Sequence, residues 1–184
     1  MVDDEVTPTY SVLLLDPPWQ ERGGGRIKRG ADRHYSVMST ARIETLLVDE
    51  WRIPERMLDP SVCFMWVTNS FLIDGLRVMN AMGFRYVTNL VWAKDRFGLG
   101  YYFRGQHELC LFGVRGKWGR PRGTSSTLLG GGMLPRRRHS QKPDEMAEMI
   151  EDRFDGPYLE LFARREREGW DCWGDQLQGN IDDR

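Results

Sequence analysis

The chain has 184 residues, with 26 Lys and Arg against 27 Asp and Glu, which gives a formal net charge of −1. This length supports one domain with a good core and excludes two ordinary domains. No apolar run approaches a membrane span, and the acidic start at residues 1–5 is unlike a secretory signal peptide. Three cysteines without metal-ligand spacing favour reduced core thiols, a cytoplasmic setting and no bound metal: Cys63, Cys110 and Cys172.

The first half of the chain predicts strands and helices in alternation. The apolar run at 11–15 predicts a buried strand, and the Gly- and Arg-rich segment at about 20–33 predicts a flexible loop. Ser39 and Thr40 predict the start of a helix that runs to about residue 48. Apolar spacing then predicts a strand at 62–67, a helix at 69–82 ended by Gly83, and strands at 86–92 and 107–114.

The second half opens with segment 116–139, which predicts a long flexible loop of the kind that is usually functional. Pro143 predicts the first turn of a helix, and apolar runs predict two last strands at 159–162 and 170–173. Strands that alternate with helices predict an α/β fold with a mostly parallel sheet covered on both faces. No shift in composition divides the chain, so we expect a single domain over residues 1–184.

Basic residues are concentrated in the two predicted loops. Segment 115–142 carries eight Lys and Arg and no Asp or Glu, and segment 20–35 carries five against two acidic residues. Such clusters suit a phosphate backbone, although two solvated loops would have the same composition. The candidates for phosphate contact are Lys28, Arg29, Arg136, Arg137 and Arg138, while His34 and Tyr35 close the first loop, where they could meet a base.

The tetrapeptide Asp16-Pro17-Pro18-Trp19 directly follows the first predicted strand. Its prolines end the strand and stiffen the turn, at the strand end where open α/β sheets bind ligands. Asp16 and the Pro17 carbonyl offer two acceptors for the hydrogens of a base amine, and the Trp19 ring offers a stacking surface. A Pro-Pro turn without chemistry is the alternative that the tetrapeptide alone leaves open.

Further blocks follow the tetrapeptide in order: HYSVMS at 34–39, FMWVTN at 64–69, GQHELCLFGVRG at 105–116, HSQKPDE at 139–145, ELFAR at 160–164 and WGDQL at 173–177. With these blocks, residues 12–177 resemble the N6-adenine methyltransferases typified by the eukaryotic mRNA-adenosine methyltransferase and by bacterial and phage DNA adenine methyltransferases. The resemblance implies a Rossmann-like methyltransferase fold in permuted order, in which the tetrapeptide strand precedes the cofactor strand. It also implies S-adenosylmethionine as the cofactor, without a metal.

The resemblance assigns roles to individual residues. All four residues of the tetrapeptide, Asp16, Pro17, Pro18 and Trp19, are implied to be catalytic. Asp175 replaces an asparagine of the family, although a carboxylate accepts from ribose hydroxyls equally well. Two further departures affect adenosine binding: the turn at 165–169 lacks the asparagine of many relatives, and the segment before the first strand, which would hold the adenine, is short. The implied cofactor contacts are Asp16, His139, Ser140, Lys142, Glu160, Phe162, Arg164, Asp175 and Gln176.

Five residues near predicted strand ends could line the target-base pocket: Trp66, Asn69, Tyr101, Tyr102 and His107. Of these, Trp66, Asn69 and His107 are assigned to the predicted site. Core packing is the alternative, and for Trp66 it is the favoured one. Together with Trp19, His34, Tyr35 and the basic residues above, they complete the predicted substrate site.

The sequence therefore predicts an S-adenosylmethionine-dependent methyltransferase that acts on the N6 amine of adenine in nucleic acid. A compact chain favours DNA over RNA. A catalytically silent paralogue that binds nucleic acid and supports an active partner is the alternative, which the intact tetrapeptide disfavours. A cytosine or protein-glutamine methyltransferase would share the same acceptor chemistry. We expect a nucleic-acid substrate, no membrane, and a homodimer or a pair with a paralogue.

Overall fold

The structure, a computed structural model, describes residues 8–20, 37–98, 102–135 and 141–177. Four helices lie within these ranges: α1 (Thr40–Glu44), α2 (Ile53–Arg56), α3 (Leu72–Ala81) and α4 (Glu145–Arg153). The strands in the same ranges are β1 (Tyr10–Leu15), β2 (Leu47–Val48), β3 (Trp51–Arg52), β4 (Met57–Val67), β5 (Arg85–Lys94), β6 (His107–Arg115), β7 (Leu128–Leu134), β8 (Tyr158–Leu161) and β9 (Trp170–Trp173).

Seven strands form one sheet in the order β7-β5-β6-β4-β1-β8-β9. Strand β1 lies in its interior and pairs in parallel with β4 on one side and with β8 on the other. Strand β6 runs antiparallel to both of its neighbours, whereas β5 with β7 and β8 with β9 are parallel. The predicted α/β fold with a mostly parallel sheet is confirmed.

Both faces of the sheet are covered, as predicted. Strand β1 is buried on both sides, which its continuous apolar run requires. Leu13 and Leu15 belong to one core with Val78 of α3, and Val12 and Leu14 belong to a second core with Ile150 of α4. Because alternate residues of a strand point to opposite faces, one apolar run supplies both cores.

The residues at the ends of α1 and α3 lie close to the predicted positions. Ser39 caps α1, and its hydroxyl accepts a hydrogen bond from the Arg42 N–H at 3.4 Å. Gly83, with φ of 86°, follows α3. Helix α1 ends at Glu44 rather than near residue 48, because β2 and β3 pair as a hairpin immediately after it. A short 3-10 helix at Asn69–Phe71 precedes α3.

The expectation of one long loop over 116–139 is wrong, because the segment contains β7. Strand β7 pairs in parallel with β5 and is irregular where Gly130 and Gly131 adopt positive φ. Because glycine is depleted in strands, the sequence of β7 gives little indication of a strand. Strand β7 forms by pairing with the open edge of β5. The stretch before it is anchored by Arg122, which donates to the Asp152 carbonyl at 2.9 Å and the Glu151 carbonyl at 2.7 Å.

Candidate methyltransferase active site

A cleft opens at the carboxyl edge of the sheet, where β1 and β8 end side by side. Its cavity has a volume of about 370 Å³. Such a volume lies in the range of small-molecule sites. The cavity is lined by Leu14, Asp16, Trp66, Gln141, Lys142, Pro143, Asp144, Met146, Ala147, Glu160, Phe162, Arg164, Arg165, Arg167 and Gln176.

The tetrapeptide turn is held by backbone hydrogen bonds. The Asp16 N–H donates to the Leu161 carbonyl at 3.4 Å, so the turn is tied to the end of β8. The Pro17 carbonyl accepts from the Trp19 N–H at 2.9 Å, and the Pro18 carbonyl accepts from the Met38 N–H at 2.8 Å. A carbonyl oxygen has two lone pairs, so the Pro17 oxygen retains capacity for a second donor.

Lys142 is the centre of a row of alternating charges across the cleft, formed by Asp16, Lys142, Glu108 and Lys94. Its ammonium donates to both carboxylate oxygens of Asp16, at 2.7 Å and 2.8 Å. The same nitrogen lies 3.4 Å from Oε2 of Glu108, whose other oxygen accepts from Lys94. Trp66 borders this row of charges, with the Lys142 nitrogen 5.6 Å from its ring centroid. The acidic corner of the tetrapeptide is therefore joined electrostatically to β5 and β6.

These charges shift one another's protonation equilibria. Burial by itself lowers the pKa of Lys142, but Asp16 and Glu108 outweigh it, so the pKa of Lys142 lies above its ordinary value. Burial raises the pKa of Glu108, but Lys142 and Lys94 outweigh it, so the pKa of Glu108 is lowered. Both pKa shifts favour the charged forms, so Lys142 and Glu108 are ionised at neutral pH.

Glu160 and Arg167 form a second polar pair on the β8 side of the cavity. The Arg167 Nε lies 3.5 Å from Oε2 of Glu160, and its guanidinium carbon lies 5.9 Å from the Trp170 ring centroid. Burial raises the pKa of Glu160, and the charge of Arg167 opposes that rise. Arg167 also lies 3.9 Å from a carboxylate oxygen of Asp144, which in turn accepts from Arg165.

The Trp19 ring does not lie where base stacking requires it. It is only 7% exposed and stacks on Phe71 with ring centroids 5.4 Å apart. Its indole N–H donates to the Trp66 carbonyl at 3.2 Å. The expected stacking of Trp19 on a target base is incompatible with this arrangement, because the ring is packed in the core. Trp19 instead fixes the tetrapeptide against β4.

Trp66 is packed in the core, which was the favoured prediction, and it also borders the cavity. It is 2% exposed and packs edge-on against Trp92 at 6.2 Å, yet it also lines the cavity. Asn69 and His107 are exposed and are not among the lining residues.

The structure brings many of the predicted cofactor residues into one cavity: Asp16, Lys142, Glu160, Phe162, Arg164 and Gln176. Asp175 is exposed next to it and does not line it. Nine predicted site residues lie outside the described residues: Lys28, Arg29, His34, Tyr35, Arg136, Arg137, Arg138, His139 and Ser140.

Sequence reasoning did not single out four charged residues of this cleft: Glu108, Lys94, Asp144 and Arg167. A signal existed for Glu108, since its carboxylate stands inside the predicted strand, directly before the apolar run at 109–112. A buried charge requires a partner, so its position pointed to a cation nearby.

The donor set of the cavity fits S-adenosylmethionine. An ammonium at Lys142 suits the carboxylate of the methionine end, and Asp16 suits its ammonium. The Glu160 carboxylate and the Gln176 amide can bond ribose hydroxyls, and Phe162 adds an apolar surface. Among the described residues, no cluster of three or more His, Cys, Asp or Glu side chains could hold a metal ion, and no helix is long and apolar enough to cross a membrane.

A Rossmann-like sheet with this acidic Pro-Pro turn beside a late cofactor strand defines a methyltransferase of permuted order. Comparison with known families agrees, because the MT-A70 family model matches residues 10–176. The chain belongs to the MT-A70 family, and the resemblance noted in the sequence is confirmed.

Named relatives differ in how much of their length the chain covers. The Type II methyltransferase M.MunI of Mycoplasma sp is 30% identical over 96% of this chain and 84% of M.MunI. The N(6)-adenosine-methyltransferase catalytic subunit METTL3 of Homo sapiens is 30% identical over 97% of this chain but only 30% of METTL3. The N(6)-adenine-specific methyltransferase METTL4 of Homo sapiens is 28% identical over 92% of this chain and 38% of METTL4.

Proposed function

We propose that this chain transfers a methyl group from S-adenosylmethionine to the N6 amine of adenine in DNA. One observation carries the proposal: Asp16, whose carboxylate binds the Lys142 ammonium, lines a cofactor-sized cavity together with Lys142 and Glu160. Membership of the MT-A70 family supports the methyltransferase class. The names of the relatives, N(6)-adenosine and N(6)-adenine-specific methyltransferases, support the target atom.

The Asp16 carboxylate can bind an adenine amine without releasing Lys142. A carboxylate has about four lone-pair sites, and Lys142 occupies one on each oxygen. A free site can accept one amine hydrogen, while the second lone pair of the Pro17 oxygen accepts the other. Two such bonds draw the amine nitrogen toward a tetrahedral shape and make its lone pair available.

S-adenosylmethionine supplies an electrophilic methyl group on its sulfonium when it is bound. The chain's own contribution is to align the amine nitrogen with that group, and proximity of this kind lowers a barrier by roughly 7–11 kcal/mol. The acceptors are preorganised because the turn is tied to β8 and to β4. As the nitrogen–carbon bond forms, the sulfur–carbon bond of the sulfonium would break and neutral S-adenosylhomocysteine would be left. No strong base is required, since the alkylated amine then loses its extra proton to water.

The likeness to M.MunI supports DNA over RNA as the substrate. The chain spans most of M.MunI, a type II methyltransferase, but only 25–30% of the N(6)-adenosine-methyltransferases of Arabidopsis thaliana and Homo sapiens. A match over most of both chains supports the DNA methylation of a type II methyltransferase for this chain. A duplex substrate would need its adenine flipped into the cleft, at a cost of a few kcal/mol of unstacking. Pairing with a second copy or a paralogue remains a prediction that light scattering can measure.

An assay with labelled S-adenosylmethionine and oligonucleotides tests the proposal. DNA and RNA oligomers with and without adenine are incubated with the wild-type chain and with Asp16→Ala. We expect label in adenine-containing DNA, N6-methyladenine by mass spectrometry, and no product from Asp16→Ala although it stays folded. Normal turnover by Asp16→Ala would end the proposal.

Two further readouts separate the alternatives. Calorimetry with S-adenosylmethionine tests the silent paralogue, which should not bind the cofactor. Mass spectrometry of the product distinguishes methylated adenine from methylated cytosine or glutamine. Label in RNA alone would identify RNA instead of DNA as the substrate, and the proposed reaction would stay the same.

A further inference from the structure

The connection between β5 and β6 carries large aromatic rings in solvent. Phe97 is 65% exposed, Tyr102 is 98% exposed and Phe103 is 89% exposed. Clusters of exposed apolar side chains mark interaction sites more often than chance. We call Arg96, Phe97, Tyr102, Phe103 and Arg104 the aromatic tip.

Backbone hydrogen bonds join the two ends of this connection, and we call residues 94–98 and 105–106 the stem of the aromatic tip. The Lys94 N–H donates to the Gln106 carbonyl at 2.8 Å, and the Gly98 N–H donates to the Gly105 carbonyl at 2.6 Å. The Gln106 side chain returns a bond to the Lys94 carbonyl at 3.1 Å. The rings on the described part of this hairpin are therefore presented from a fixed base.

The stem rises from the same sheet edge as the active-site cleft. Ala93 of β5 is level with His107 of β6, so the hairpin leaves the sheet at this edge. One residue further, Glu108 lies 3.4 Å from the Lys142 ammonium that binds Asp16. A polymer whose target base enters the cleft would run close to the tip.

Charge favours nucleic acid as the occupant. The Arg96 side chain is 82% exposed and its Nε lies 3.5 Å from Oδ2 of the neighbouring Asp95. Arg104 lies on the other side of the hairpin, where its Nε donates to the Gly98 carbonyl. Residues 94–106 hold three basic side chains and one acidic side chain, in a chain whose net charge is −1. Aromatic rings interleaved with arginines match a strand of stacked bases and phosphates.

The size of the aromatic tip disfavours a second copy of the chain as the occupant. Complete burial of its three rings would cover about 450–750 Å². A standard protein interface needs about 800 Å² from each partner, most of it around buried anchors. Single bases, in contrast, use one ring at a time.

We propose that the aromatic tip binds unpaired nucleotides next to the target adenine, with Tyr102 and Phe103 stacking on bases and Arg96 facing phosphate. This inference rests on the proposed function for its location, but stacking is tolerant of sequence and does not require adenine. Binding of a strand without adenine therefore tests the tip independently of methyl transfer.

The test measures binding of a short fluorescein-labelled oligo(dT) by anisotropy at one fixed salt concentration, since phosphate contacts depend on salt. The variants are Tyr102→Ala, Phe103→Ala, their double, and Tyr102→Trp. Tyr86→Ala is the matched control, because Tyr86 is a 40% exposed tyrosine at the other end of β5. Each variant is also measured for thermal unfolding and for S-adenosylmethionine affinity.

We expect each Ala variant to weaken oligo(dT) binding by about 5-fold or more, and the double by about 25-fold or more. Tyr102→Trp should bind like the wild type, as should Tyr86→Ala, with unfolding and cofactor affinity unchanged throughout. Unchanged binding by the double variant would overturn the inference. So would a dimer that the double variant dissociates while oligo(dT) affinity stays intact.

Failure of the proposed function leaves a different signature. In that case the wild-type chain would not methylate adenine oligomers, yet oligo(dT) binding would still depend on the tip. Intact methylation with tip-independent oligo(dT) binding would reject only the inference.

Discussion

Replacing Lys142 by methionine removes the cation at the centre of the cleft and keeps most of the side chain's volume. The Lys142–Asp16 pair has a nitrogen–oxygen distance of 2.7 Å, and the two side chains are 18% and 22% exposed. At this distance Coulomb attraction is about 6 kcal/mol for an effective dielectric constant of about 20, and about 1.5 kcal/mol in water. Removal of one partner from a buried pair costs about 3–5 kcal/mol. Because both side chains retain some exposure, we expect a loss of about 3 kcal/mol in the free energy of unfolding.

Urea unfolding of wild-type and Lys142→Met chains measures this loss. With an m value near 2 kcal/mol/M, the midpoint should fall by about 1.5 M. Arg77→Met is the matched control, because the Arg77–Glu44 pair has a 3.0 Å separation but Arg77 is 57% exposed. An exposed pair contributes about 0–1 kcal/mol, so the control should change stability little.

The pH dependence gives a second measurement with a defined sign. The folded pKa of Lys142 lies above its ordinary value of 10.5, so the contribution of the pair is fully present below pH 10.5. It is lost as the pH rises through the raised pKa, and the two chains should then converge. The pKa of Glu108 is lowered from 4.5, so its contribution is present above pH 4.5 and is lost as the pH falls through the lowered pKa.

A double-mutant cycle with Asp16→Asn identifies the cause of the loss. If Lys142→Met destabilises the chain by leaving the Asp16 carboxylate without its cation, the second change should recover much of the stability. Strictly additive losses, or equal losses in Lys142→Met and Arg77→Met, would refute the reasoning.

Two further substitutions test the rim of the cavity and the packing of the turn. Arg167→Ala should weaken S-adenosylmethionine binding about 10-fold, and more at pH 6 than at pH 8, because loss of its charge lets the pKa of Glu160 rise further. Calorimetry at both pH values measures this affinity. An effect of the substitution that is the same at both pH values would contradict the prediction. Trp19→Ala should lower the free energy of unfolding by about 3–5 kcal/mol, because a buried ring is replaced by a cavity. Urea unfolding checks it, with Trp19→Phe expected to lose less, and a fully stable Trp19→Ala chain would contradict the packing role.

Elements with strong local patterns were predicted close to their observed bounds. The apolar run predicted as a strand at 11–15 lies within β1, and the strand predicted at 107–114 is β6, which ends one residue later. Helix α4 begins at Glu145, two residues after the Pro143 that was predicted to lie in its first turn. These patterns are local, because the burial of a strand and the start of a helix depend on a few consecutive residues.

Elements that depend on a partner were not predicted. Strand β7 contains three consecutive glycines and exists through pairing with β5. The hairpin of β2 and β3 consists of two-residue strands around a turn where Asp49 and Glu50 have positive φ. Neither feature has enough apolar periodicity to stand out from a loop.

The sequence by itself determined the sheet class, the position of the Asp16 turn after a buried strand and the family, because these depend on short motifs in order. Only the tertiary structure decided what each side chain meets. Trp19 turned inward onto Phe71, and Lys142 came to lie between Asp16 and Glu108, residues far apart in the chain. The physical reason is that Coulomb interactions and packing act through space, so a charge's partner is set by the fold and not by its neighbours in sequence.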